Sequence, residues 1–238
     1  MSVFAIQFNL FKLFYLKTHN KKYAMIKTEY TSILPHIQPI GATFFVTFNL
    51  YGSLPKSVLE KIKKEHELRK HEILFSNRPD KDILKYREQR LHFKRYDEAL
   101  HQVIDGVAFL KDTSIAQMVA DKMHEFDGRY YHLLCYTIMS NHVHAVFDFS
   151  AQLNPNFKFL EQEYTQLSKV MNLIKGSTAH SANGILDRRG THFWQKDSYD
   201  HYVRSPDELQ GIIKYVKINP VTANLVDNWQ DWAFTYVR

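Results

Sequence analysis

Residues His142–Phe149 read HVHAVFDF. In an extended chain alternate side chains point to opposite faces. One face then carries Val143, Ala145, Phe147 and Phe149, and the other carries His142, His144, Val146 and Asp148. A strand with one wholly apolar side belongs in a sheet that packs that side on a core. Thr43–Leu50 (TFFVTFNL) repeats the pattern, with Phe44, Val46, Phe48 and Leu50 opposite Thr43, Phe45, Thr47 and Asn49. Gly128–Met139 (GRYYHLLCYTIM) is a third apolar run. The Ser140-Asn141 pair that joins it to His142 predicts a hairpin.

The other segments have helical spacing. Residues from about 55 to 126 set charged side chains between apolar ones, with a break at Arg78-Pro79-Asp80. From about residue Lys158, the residues Leu160, Tyr164, Leu167, Val170, Met171 and Ile174 recur at spacings of three and four, which predicts an amphipathic helix ending near Gly176 or shortly after. The stretch after it reads as loop, with a short strand in HFWQ or SYDHYV. Ser205, Pro206 and Glu208 then form a capping-box signature ahead of Leu209, Ile212, Ile213 and Val216, and Asn219-Pro220 is the expected stop. The order is strand, helices, strand, strand, helix, short strand, helix. That order predicts an α+β fold, a ferredoxin-like antiparallel sheet with helices on one face and a large helical insertion after the first strand. Residues 1–39 read as an N-terminal extension, partly non-native, with Met25 the expected start. Residues 40–238 read as one domain, with the insertion at about 55–126.

Charge narrows the partner. The net charge of +6 is matched by the excess within Leu54–Arg95 alone, where thirteen Lys and Arg face seven Asp and Glu. Such a basic stretch is either a solvated helical face or a phosphate-binding surface. Cys135 is the sole cysteine, which excludes an intramolecular disulfide and a cysteine-built metal site and fits a reducing cytoplasm. The apolar N-terminal run has no basic stretch before it, and Lys12 and Lys17 interrupt it. Neither a signal peptide nor a membrane association is expected.

Two features carry chemistry. The Cα atoms of His142 and His144 lie roughly 6.6–6.8 Å apart on one strand face. Their rings either decorate a half-exposed sheet or converge on one divalent cation, for which neutral imidazole is a good ligand. A third histidine at Val146, which a His-x-His-x-His hydrolase signature requires, is absent. The second feature is Tyr215. It lies about 110° round its helix from the centre of the apolar stripe, at the edge of the core. Asn219 follows one turn later on the same face, and Gly211 one turn earlier leaves room beside the ring. A phenol and an amide can thus point into one site.

Five segments occur in order: SNHVHAVFD, LIKGSTAHSANGIL, GTHFWQKDSYDHYVR, IIKYVKINPVTANLV and NWQDWAFT. Together they resemble the REP-associated tyrosine transposase group of the single-tyrosine HUH transposase superfamily, over roughly residues 40–50 and 128–235. The resemblance implies that His142 and His144 bind Mg²⁺ or Mn²⁺, with Asn219 as an amide-type third ligand. It implies that Tyr215 is the nucleophile that becomes linked to a DNA 5′ phosphate. The implied substrate is single-stranded or hairpin DNA in the nucleoid-containing cytoplasm. Lys175, Trp194, Gln195, Tyr199, His201 and Arg204 are the expected DNA contacts. Trp194 has core packing as its competing role, and Tyr199 is a rival nucleophile whose position does not match the family's tyrosine. Relatives occur as monomers and dimers, so a homodimer is allowed without being required. Ser140 stands where the family often has proline before the histidine pair.

Overall fold

The computed structural model describes residues 29–31, 35–102, 106–153 and 163–238. Strands β1 (Glu29–Thr31) and β2 (Pro35–Ile37) form a two-stranded ribbon. β3 (Thr43–Asn49) is followed by three helices, α1 (Lys56–Phe75), α2 (Lys81–Gln102) and α3 (Thr113–Glu125). β4 (His132–Ile138) and β5 (His142–Asp148) form the hairpin. Then come α4 (Leu167–Ile185), β6 (Tyr199–Tyr202), α5 (Pro206–Thr222) and β7 (Thr235–Val237). The main sheet has the order β6-β3-β5-β4-β7, and every neighbouring pair is antiparallel. β3, β4, β5 and β6 hold the first, second, third and fourth places of a ferredoxin-like sheet. β7 is an added edge strand that the sequence reading did not anticipate.

Strand alternation sorts the faces as expected. Phe44, Val46, Phe48, Val143, Ala145 and Phe147 are buried in one cluster with Ile115, Val119 and Met123 of α3 and Val170 and Ile174 of α4. These two crossover helices cover that face. The opposite face, expected to be open, is covered as well. Phe45, Cys135 and Val146 pack there with Val216 of α5, and Phe93 of α2 lies against them. The insertion therefore does not stand off the domain; it folds back over the histidine side.

Some boundaries move. Residues 1–28, with the expected start at Met25, lie outside the described residues, as do Lys158 and Leu160. α4 begins at Leu167, after Tyr164, whose hydroxyl accepts from Gly41 N at 2.9 Å. It continues through Gly176 to Ile185 because Thr178 and Ala182 still bury against the core. Ser205 caps α5, accepting from Glu208 N at 3.1 Å, while Glu208 Oε2 takes Arg204 N at 2.7 Å. The capping box thus closes one residue early. α5 runs past Asn219 with Pro220 inside it and ends at Thr222.

Candidate metal centre

The β3–β5 register sets Thr47 opposite His144 and Asn49 opposite His142. The two imidazoles turn their Nε2 atoms toward each other, 3.1 Å apart. Their other nitrogens are held from outside. His142 Nδ1 lies 2.6 Å from Asn141 Oδ1, and His144 Nδ1 lies 2.7 Å from Thr47 Oγ1. An amide oxygen only accepts, so His142 Nδ1 carries the hydrogen and Nε2 presents its lone pair. Donation from His144 Nδ1 to Thr47 produces the same tautomer. Metal-binding imidazoles are oriented in this way, with the far nitrogen fixed by an oxygen. At 1% and 0% exposure these are not surface histidines.

α2 adds two donors that the sequence reading missed. Asp97 and His101 are one helical turn apart and face the pair. One donor atom from each of Asp97, His101, His142 and His144 lies within 4.8 Å of all the others. Asp97 Oδ1 is 3.2 Å from His144 Nε2, and Asp97 Oδ2 is 3.5 Å from His101 Nε2. Burial by itself would raise the Asp97 carboxyl pKa, but the adjoining His101 and His144 imidazoles outweigh it and hold the group well below the usual carboxylate range. Burial, and next the neighbouring His144, push the His142 imidazole far below its ordinary value, toward the neutral form a metal needs. Asp97 Oδ1 and Asn219 Oδ1 are buried without a hydrogen-bond partner. Uncompensated buried oxygens are costly, and a cation would satisfy them. The donors therefore fit a divalent metal.

Tyr215 reaches the same place from α5. Its hydroxyl donates to Asp97 Oδ2, and its ring lies 5.3 Å from that of His144. Burial first, then the Asp97 carboxylate, push the phenol well above its ordinary pKa, while the Asn219 amide pulls slightly the other way. His142, His144 and Tyr215 are thus brought together, with Asn219 beside Tyr215 on α5.

The expected DNA contacts scatter. Trp194 is buried in the core, its competing role. Its ring meets Phe48 at 4.9 Å, and Nε1 donates to Thr178 Oγ1 at 2.9 Å. Lys175 is spent internally, donating to the carbonyls of Gln195 and Lys196 at 2.7 Å each, and burial lowers its pKa to about 8. Gln195 N donates to Asn49 O at 2.8 Å, extending the sheet edge. Tyr199 stacks on Phe93 of α2 at 4.3 Å, and His201 Nε2 lies 2.9 Å from Glu208 Oε1. Arg204 is exposed, lying over Tyr86 at 4.4 Å and Tyr202 at 4.1 Å.

No family model and no curated protein matches the chain. Among solved structures it is similar to a REP-associated tyrosine transposase bound to a REP hairpin, at 15% identity over 88% of this chain and 82% of that one, with a TM-score of 0.44. That is a distant structural likeness and assigns no activity here.

Proposed function

We propose that this chain is a metal-dependent DNA transposase or endonuclease that nicks and rejoins single-stranded, hairpin-associated DNA through a 5′-phosphotyrosine. The observation that carries the reading is the meeting of the Tyr215 hydroxyl with the facing Nε2 atoms of His142 and His144 around Asp97. In this reading the Tyr215 oxygen forms a bond to the DNA phosphorus, and the bond from phosphorus to the 3′ oxygen breaks. The 3′ oxygen takes up a proton and leaves as a hydroxyl. The Tyr215 hydroxyl, which donates to Asp97 Oδ2 in this structure, gives its proton to water as the new bond forms. A divalent cation, Mg²⁺ or Mn²⁺, held by His142 and His144 with Asn219, supplies charge stabilisation at the phosphate oxygens. The phosphotyrosine conserves the bond energy, so the reverse step joins a new 3′ end without an external energy source. Arg204 and the basic residues of α1 and α2 are the phosphate contacts in this reading.

Burial of the histidine pair and the commitment of Tyr215 to Asp97 support a second reading, a structure-specific nucleic-acid-binding protein whose catalysis has decayed. The two readings part on one assay. The protein is incubated with hairpin-bearing single-stranded DNA and Mn²⁺ and run on a denaturing gel. Catalysis predicts a covalent protein–DNA band that Tyr215→Phe abolishes while DNA binding persists. Binding without cleavage selects the second reading, and cleavage without any covalent band rejects both.

A further inference from the structure

We infer that a metal at this centre is also a latch, which holds the α1–α2 hairpin down over Tyr215 through Asp97 and His101. The first ground is where the donors sit. His142 and His144 belong to the sheet, whereas Asp97 and His101 belong to a helix of the insertion, and all four converge within 4.8 Å. An ion shared by the four would tie two separate parts of the fold together.

The second ground is how little else holds α2 down. The fully buried residues of α2 are Glu88, Asp97 and Leu100, so two of the three are carboxylates. α3, by contrast, buries Ile115, Ala116, Val119, Ala120 and Met123 on the opposite face. α1 and α2 pack chiefly on each other. Apart from the single ring of Phe93, which meets Phe45, Tyr199 and Tyr215, the links from α2 to the rest of the domain are mostly polar. Tyr86 donates to Glu208 at 2.5 Å and Tyr96 to Asn49 at 2.8 Å, Asn141 reaches the Leu100 carbonyl at 3.0 Å, and Phe93 stacks on Tyr199. An element with so small an apolar anchor belongs to the low-stability end of a fold, where opening is cheap.

The third ground is the donor set. Three imidazoles and one carboxylate suit a late first-row ion such as Zn²⁺ or Co²⁺ better than Mg²⁺. Four protein donors describe a closed site, whereas a catalytic site keeps a position for substrate. The latched form is therefore closed to a phosphate. Withdrawal of α2 removes Asp97 and His101, uncovers Tyr215 and leaves the sheet histidines for the ion that works with DNA. The latch stands on the donors of α2; its meaning as a control of strand transfer rests on the function proposed above.

The test uses the full chain, freed of metal by chelator and titrated with Co²⁺. Wild type should take up one equivalent and develop the intense visible bands of a four-coordinate ion. His101→Ala and the near-isosteric Asp97→Asn should each bind at least tenfold more weakly, with the bands reduced. Hydrogen exchange of α2 amides should slow on Co²⁺ addition in wild type and stay unchanged in His101→Ala. Equal affinity in wild type and both variants, or α2 exchange indifferent to Co²⁺ in wild type, overturns the latch. The absence of any Tyr215–DNA adduct, with these metal results intact, overturns the proposed function and leaves the latch standing.

Discussion

At the level of single residues, the centre depends on the atoms behind the histidines as much as on the histidines themselves. Thr47 faces His144 across the sheet and fixes its Nδ1 at 2.7 Å. Thr47→Val keeps the branched shape and the strand propensity but removes that partner. Metal affinity should fall about 10- to 100-fold, with folding stability lowered by about 1–2 kcal/mol. A competition titration against a chromophoric chelator reads the first effect and a denaturant melt the second. An unchanged affinity would mean that Thr47 does not orient the ring. The pairing of His142 with His144 was legible in the sequence because a period of two is local. The roles of Asp97 and His101 were not. In the sequence they are two polar residues in a charged helical segment, and the spacing Asp-x-x-x-His says only that they share a helix face. Which face docks, and onto what, is decided by residues far away in the chain.

Among elements, α2 carries a buried titration of its own. His66 and His92 stack at 4.1 Å, and His66 Nδ1 lies 3.2 Å from Glu88. Burial, with His66 beside it, lowers the His92 pKa from 6.5 to about 4. Burial also lowers that of His66, against the hydrogen bond to Glu88. The folded hairpin keeps His92 neutral while the unfolded chain protonates it. Its contribution is complete above pH 6.5 and is lost as the pH falls toward 4, by about 2–3 kcal/mol. In metal-free protein, amide exchange across α1 and α2, corrected for intrinsic rates, should therefore be faster at pH 5 than at pH 7 while α3 is little changed. Equal protection of the hairpin at both values would contradict this.

Trp194 makes the complementary case on the other face of the sheet. Trp194→Phe should cost about 1–3 kcal/mol in a denaturant melt, from lost packing and the lost bond to Thr178, and leave DNA binding unchanged. A loss of binding without a loss of stability would return it to the DNA surface. The helices were harder to delimit than the strands for a physical reason. Gly176 and Pro220 are local stop signals, but Thr178 and Ala182 pack beyond the first, and Asn219 and Pro220 are themselves buried within the last turns of α5. β7 has only three residues and pairs by virtue of its position beside β4, which no local pattern announces.

Taken whole, the described residues form a five-stranded antiparallel sheet covered on both faces and a two-stranded ribbon. The crossover helices make the core, and the insertion and tyrosine helix close over the histidines. Among the described residues no helix is long and apolar enough to cross a membrane. The net charge of +6 favours an anionic partner, and its concentration in the insertion puts that charge on the element that covers the site. The ferredoxin-like order was readable from the succession of elements. The covering of the histidine face was not, because a charged amphipathic helix pair is equally compatible with lying in solvent. In the proposed reaction Tyr215 is the residue that becomes joined to DNA. This is tested most directly by incubating the protein with a pool of hairpin-bearing single-stranded oligonucleotides and Mn²⁺, digesting the covalent product and locating the nucleotide-bearing peptide by mass spectrometry. A phosphodiester-linked nucleotide on Tyr215 is the expected result. Attachment at Tyr199, or cleaved DNA with no tyrosine carrying a nucleotide, would contradict it.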